Sequence, residues 1–263
     1  MRKLAIPIVV TAVIAVLLTS GLLMGCQGVA VKGSRNLKTE NYNFSDFTRV
    51  DIGSAFEVEI AQSGSYSVSI TADDNLFDYI QVSKQGTTLK IGLRTLTTLG
   101  LATLEAKVTM PQLRGLDLSG ATRGTVSGFS STENLDIEVS GASSVDLVGM
   151  SAGDVKFDIS GASKVTGDIT ADDADFDVSG ASTVQLEGSA SDMVAKLGGA
   201  SRFNLGGFTV NNANVNLSGA STGTVNLSGR LDADLSGASK LSYIGEPTMG
   251  TINTSGGSTL SKK

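Results

Sequence analysis

The chain has no histidine and no tryptophan, a single cysteine, three prolines, and aromatic residues at only 5% of its 263 positions. Each scarcity excludes something. Without histidine, and with its one cysteine at position 26 in the leader region, the usual general bases and nucleophile pairs are missing. One cysteine also rules out an internal disulfide framework and a cysteine-based zinc site. Positive charge is scarce as well. Formal net charge is −6, and loss of Arg2 and Lys3 with a leader would make it −8, because no acidic residue precedes position 26. No basic run is interleaved with aromatics, so nucleic acid is not an expected partner. What fills the space is 32 glycines with Ser, Ala, Thr, Asp and Val, and 40% hydrophobic residues, enough for a packed core of small side chains.

The longest apolar run lies at the start. Met1-Arg2-Lys3 is followed by an apolar stretch from Leu4 to Leu18 and then by Leu23-Met24-Gly25-Cys26. This is a positive n-region, an h-region of signal-peptide length and a small residue before a cut. The junction resembles the bacterial lipobox, with Leu23 and Gly25 matching and Met24 departing from the usual small residue. Residues 1–25 are therefore expected to be a signal peptide and Cys26 the site of lipidation. A transmembrane anchor and an ordinary secretory leader remain alternatives. All three export the remainder, to the outer face of the cytoplasmic membrane or to the outer membrane and cell surface.

A short phrase then recurs, an aliphatic residue followed by Ser-Gly-Ala-Ser. Its central glycines are Gly120, Gly141, Gly161, Gly180, Gly199, Gly219, Gly237 and Gly256, at spacings of 18 to 21 residues. Such regularity is the mark of a repeat architecture. Before each phrase the residues alternate: Leu135, Ile137, Val139; Val155, Phe157, Ile159; Ala174, Phe176, Val178. Period two means a strand with one buried face. Six residues after the aliphatic anchor comes another apolar one, at Val145, Val165, Val184, Phe203 and Leu241, so a second strand follows the corner. A hairpin meander would repeat its turn about every ten residues. The full-length period favours an all-β, right-handed parallel β-helix of about 20 residues per coil, some 35–40 Å long. In this reading glycine takes φ > 0 at the bend, Ala fits a narrow interior and Ser bonds between coils. Gly124 and Gly223 are expected to carry bulges.

Residues 26–43 read as a tether, 44–110 as an N-terminal β-rich cap and 111–263 as the repeats, with 44–263 one continuous domain. Within the cap, Val50–Ile52, Phe56–Ile60, Tyr66–Ile70 and Leu104–Met110 read as strands and Gln81–Leu93 as a hairpin around Gln85-Gly86. A short helix is expected from Asp74 to Tyr79, capped by Asp73 or Asp74. The degenerate last phrase and Lys262-Lys263 are expected to blunt the far end.

The segment Phe47-Thr-Arg-Val-Asp-Ile-Gly-Ser-Ala-Phe56 followed by the Ser-Gly-Ala-Ser series resembles the bacterial head GIN domain group, whose members carry an auto-transporter adhesin label. The resemblance covers about 44–240. It implies a right-handed β-helix and cell-surface placement, with no established biochemical role. A self-translocating adhesin needs a membrane barrel downstream, and the sequence stops at Lys263, so that part of the label is not expected to apply.

Serines repeated at every corner read as structural, since a catalytic serine is normally unique. The rival is a polysaccharide lyase or hydrolase, because enzymes on parallel β-helices work with carboxylates, Lys, Arg and metal. Here the acidic residues stand at repeat positions instead of in one cluster. Those just before the anchors are Asp117, Glu138, Asp158, Asp177 and Asp234, in a column with Lys196, Asn216 and Asn253. Two positions earlier stand Asp136, Lys156, Asp175, Asn214 and Asp232. A solvated face is the plain reading; a cation- or partner-binding strip is the sharper one. Asp158, Asp175 and Asp177 are the candidates for weak calcium binding, and no other cofactor is expected. The expectation is an envelope-anchored binding or structural module, non-catalytic, meeting the membrane through its lipid and possible partners in a glycan or a surface protein.

Overall fold

A computed structural model describes residues 30–94 and 99–263. Cys26 and the apolar leader lie outside the described residues. The chain is all-β, with one turn of 3-10 helix at Asp74–Leu76 among the described residues. The first seven strands are β1 (Leu37–Tyr42), β2 (Arg49–Ile52), β3 (Glu57–Gln62), β4 (Ser67–Asp73), β5 (Ile80–Gln85), β6 (Thr88–Leu93) and β7 (Leu104–Met110). Strand pairs then repeat: β8 (Gly115–Leu118) with β9 (Arg123–Ser127), β10 (Leu135–Val139) with β11 (Ser144–Ser151), and β12 (Val155–Ile159) with β13 (Lys164–Thr170). Next come β14 (Asp173–Val178) with β15 (Thr183–Ser189), β16 (Asp192–Leu197) with β17 (Arg202–Val210), and β18 (Asn212–Leu217) with β19 (Thr222–Leu227). The series closes with β20 (Arg230–Leu235), β21 (Lys240–Ile244), β22 (Thr248–Thr254) and β23 (Thr259–Lys262).

The first strand of each pair joins an 11-stranded sheet and the second a 12-stranded sheet, all in parallel register along the repeats. This is a β-solenoid of roughly 20 residues per turn. The alternation seen in the sequence is the burial pattern itself: Val139, Ile159 and Val178 are buried, and Glu138, Asp158 and Asp177 are exposed. Inward residues of both sheets form one core. At its middle Phe157 stacks on Phe176 at 4.7 Å, and Phe176 meets Phe203 of the opposite sheet edge-on at 4.9 Å.

The corners explain the repeat. Gly161 and Gly180 have φ of 76° and 74°, and a Cβ on either would lie 2.4 or 2.3 Å from the carbonyl oxygen of the corner glycine one coil before. Only glycine combines that φ with that approach. The same carbonyl accepts the next coil's alanine N–H, Gly141 O from Ala162 and Gly161 O from Ala181, both at 2.8 Å. The expectation for alanine is overturned. Ala142, Ala162 and Ala181 are exposed, and the closing hydroxyl residue points inward, with Thr122, Ser182, Ser201, Ser221 and Ser239 fully buried. Small size at the alanine position thus serves the tight outer bend. At most coils the inward hydroxyl bonds a backbone carbonyl, as Ser201 Oγ does to Gly198 O at 2.7 Å, whereas those of Ser143 and Ser163 are buried without a partner. The first serine links coils as expected, Ser218 Oγ donating to Leu197 O at 3.3 Å. Gly124 and Gly223 carry no bulge. They make room for leucines, since a Cβ there would meet Leu118 at 2.8 Å and Leu241 at 3.1 Å. In the 12-stranded sheet the register shifts fall later in the strands, at Leu147/Met150, Gln185/Glu187 and Asn204/Thr209.

The N-terminal part is built into the solenoid more deeply than a cap. β2 and β3 form a coil of their own around a Gly53-Ser54-Ala55 corner, where Ser54 and Ala55 hold φ of 69° and 65°. That coil pairs with β8 and β9 on one side and with β6 and β7 on the other, always in parallel. Antiparallel β5, and antiparallel β4 and β1, close the two sheets at this end. The polar stretch read as a tether therefore includes strand β1. The expected hairpin is β5–β6, with Gly86 at φ 60°. The expected helix shrinks to one 3-10 turn, and Asp73 does not cap it. Its buried carboxylate accepts from the backbone N–H of Arg35 (2.5 Å) and Thr103 (2.8 Å), tying the N-terminal segment to the β6–β7 connection. With these rungs included the sheets extend about 50 Å, longer than the repeats alone imply.

Candidate binding faces

The outer face of the 11-stranded sheet gathers the acidic residues into rows, because parallel in-register pairing puts equivalent positions of successive coils side by side. One row runs Lys90, Asp51, Asp117, Glu138, Asp158, Asp177, Lys196, Asn216, Asp234. Five carboxylates are consecutive, with a lysine at each end of the run. Lys90 Nζ sits 2.9 Å from Asp51 and carries a raised pKa through that bond. Asp117, half-buried between Asp51 and Glu138, is pushed up to about 6, first by loss of solvent and then by those two like charges.

The neighbouring row runs Arg49, Gly115, Asp136, Lys156, Asp175, Val194, Asn214, Asp232. Arg49 lies across Gly115, where a side chain would collide with its guanidinium, and so reaches Asp136 two rungs away. Arg230 grips Asp232 with two hydrogen bonds and, with the Thr251 N–H, holds its carboxyl down at about 2. Between this row and Asn134, Asp154, Asp173 and Asp192 runs a shallow groove of about 380 Å³, floored in part by exposed Val194.

Of the calcium candidates, Asp158 and Asp177 occupy adjacent rungs, while Asp175 lies in the next row between Lys156 and Val194. Among the described residues no group of three or more potential ligands is placed to hold a metal ion. Asp51, Asp117 and Glu138 form a further run of carboxylates on adjacent rungs of the row. Sequence reasoning missed it because Asp51 is distant in the chain and joins the row only through the out-of-order stacking of β2 on β8. The corner hydroxyls form a repeated ladder bonded to carbonyls at Thr122, Ser182, Ser201, Ser221, Ser239 and Ser258, while the buried hydroxyls of Ser143 and Ser163 make no hydrogen bond.

A family described as "Putative auto-transporter adhesin, head GIN domain" matches residues 46–247. Solved structures share the fold. A "putative adhesin" from Parabacteroides merdae is 20% identical with a TM-score of 0.82, covering 89% of this chain and 99% of its own. A "putative adhesin" from Parabacteroides distasonis is 18% identical with a TM-score of 0.82, over 89% and 100%. A "putative lipid binding protein" from the same species is 17% identical with a TM-score of 0.76, over 89% and 99%. No curated protein matches the chain.

Proposed function

The chain belongs to the "putative auto-transporter adhesin, head GIN domain" family, and from that membership we propose that it is an envelope-anchored, non-catalytic binding module held through Cys26. One observation carries the reading: its polar chemistry is laid out in rows that repeat coil after coil, with no single constellation set apart among the described residues. Repeated rows suit recognition of an extended partner, whereas bond-breaking needs a unique geometry. The acidic rows serve to keep the rod soluble and to discourage sheet edges from pairing.

The anchor and the activity are tested together. Fatty-acid labelling should mark the wild-type protein and vanish in Cys26→Ser; unchanged labelling would remove the lipoprotein part. Incubation with envelope fractions and a glycan panel should give binding without new sugar ends. Release of new ends would instead establish a polysaccharide-active enzyme.

A further inference from the structure

The 12-stranded sheet presents a different outer face. Its first outward row, immediately after the corners, runs Arg123, Ser144, Lys164, Thr183, Arg202, Thr222, Lys240, Thr259. A cation stands on every second rung and a hydroxyl on every rung between. Among the described residues none of the four cations forms an ion pair or a side-chain hydrogen bond, and all four are exposed. Glu57 and Glu105 continue the row past Arg123, so the cationic stretch begins there.

The flanks of the row matter equally. On one side lies the shelf of exposed corner residues, from Ala121 to Ala238, none longer than a methyl group. On the other is a row of short polar side chains, Thr125, Asp146, Thr166, Gln185, Asn204, Thr224 and Ser242. Its one carboxylate, Asp146, already accepts from Thr166 Oγ1 at 2.8 Å. The result is a straight shallow track with cations about 9.6 Å apart, bordered by hydroxyls and amides. The acidic face lies across the core, about 10 Å away between sheets and further between side-chain tips. That exceeds the Debye length of about 8 Å at physiological salt, so the net negative charge does not cancel the track.

We propose that this track docks a linear acidic polysaccharide, in which a uronic acid on alternate sugars presents one carboxylate to each cation. The cations supply the charge contacts, the hydroxyls and amides bond the intervening sugar, and the alanine shelf lets the chain lie close. A disaccharide repeat has the same two-step alternation as the row. An anionic membrane would satisfy the charge but has no use for strict alternation along one line. The proposal rests on the reading of the chain as a non-catalytic binding module and adds the class of its partner.

The test uses the full-length protein in neutral detergent and immobilised hyaluronan, with dextran as the uncharged control. Wild type should bind hyaluronan and not dextran. Lys164→Thr with Arg202→Thr should weaken binding about tenfold or more. Lys164→Thr with Thr183→Lys keeps the charge but breaks the alternation, and should weaken it at least threefold. Asp158→Asn with Asp177→Asn, on the opposite face, should leave it within about twofold. All these side chains are solvent-facing, and unchanged denaturation midpoints check that folding is intact. Equal binding by the exchange variant would overturn the proposal, reducing it to general charge attraction. Binding to phosphatidylglycerol vesicles with the same residue dependence, and none to hyaluronan, would also overturn it. No hyaluronan binding by the wild type, with its envelope binding retained, would sink the track and leave the binding module. New sugar ends would retain the track and remove the non-catalytic reading.

Discussion

At the scale of the single residue, the corner glycines carry two separate costs, and the structure allows them to be measured apart. Gly161 combines a positive φ with a backbone oxygen where its Cβ would go, whereas Gly128 has a φ of 76° and nothing within 4 Å of that position. Gly128→Ala should lose about 1 kcal/mol, the conformational part alone. Gly161→Ala must also push two coils apart and should lose about 3–5 kcal/mol in a denaturant titration. Similar losses would mean that the coils yield and that the corner stack is not rigid. The need for glycine was legible in the sequence because it recurs with the period. Which neighbour faced inward was not. Alanine is the more apolar of the two, but the bend turns it out and the next residue in, even at Ser143 and Ser163 where the hydroxyl bonds nothing, a geometric fact that hydropathy does not express.

At the scale of the element, strand register was legible wherever alternation was clean, as at Val178 beside Asp177, and so were the β5–β6 hairpin and the buried Val145, Val165 and Val184. The rows were legible only within the repeats. Asp117 shows what that missed. Its carboxyl titrates at about 6 in the folded chain, against an ordinary value of 3.8. Between those values the folded state holds a proton that the unfolded chain has released. The stabilisation from this group is therefore full below about pH 4 and is lost as pH rises through about 6. Because the side chain retains solvent contact, the effect is about 1–2 kcal/mol after screening. Asp117→Asn should raise the unfolding free energy at pH 7.5 by about that amount and leave it at pH 4 almost unchanged, as read from denaturant titrations. An equal change at both pH values would show that Asp117 does not titrate with its row.

At the scale of the whole molecule, the solenoid and its period were evident from the phrase spacing, while the N-terminal end was not. Nothing in Arg49–Gln62 announces that it lies between segments that come later in the chain. Stacking order depends on which rungs find each other, and local patterning is silent about that. The enclosure of the β2–β3 coil by β6–β7 on one side and β8–β9 on the other has a mechanical meaning. Pulled from its C terminus, the rod should yield in a sawtooth. Each coil of about 20 residues should release a contour length of about 65–70 Å, because each grips only the coil before it. That series must stop when tension reaches β8–β9. The next coil inward is held from both flanks, and β4 to β7 are threaded around it, so the last extension should arrive as one long rip from roughly residue 115 back to β1. Single-molecule stretching would read that sequence directly, and equal steps to the very end would contradict it. A rod with such a profile spends load gradually at its free end while its base stays whole, the behaviour of a shock absorber on a fixed mount.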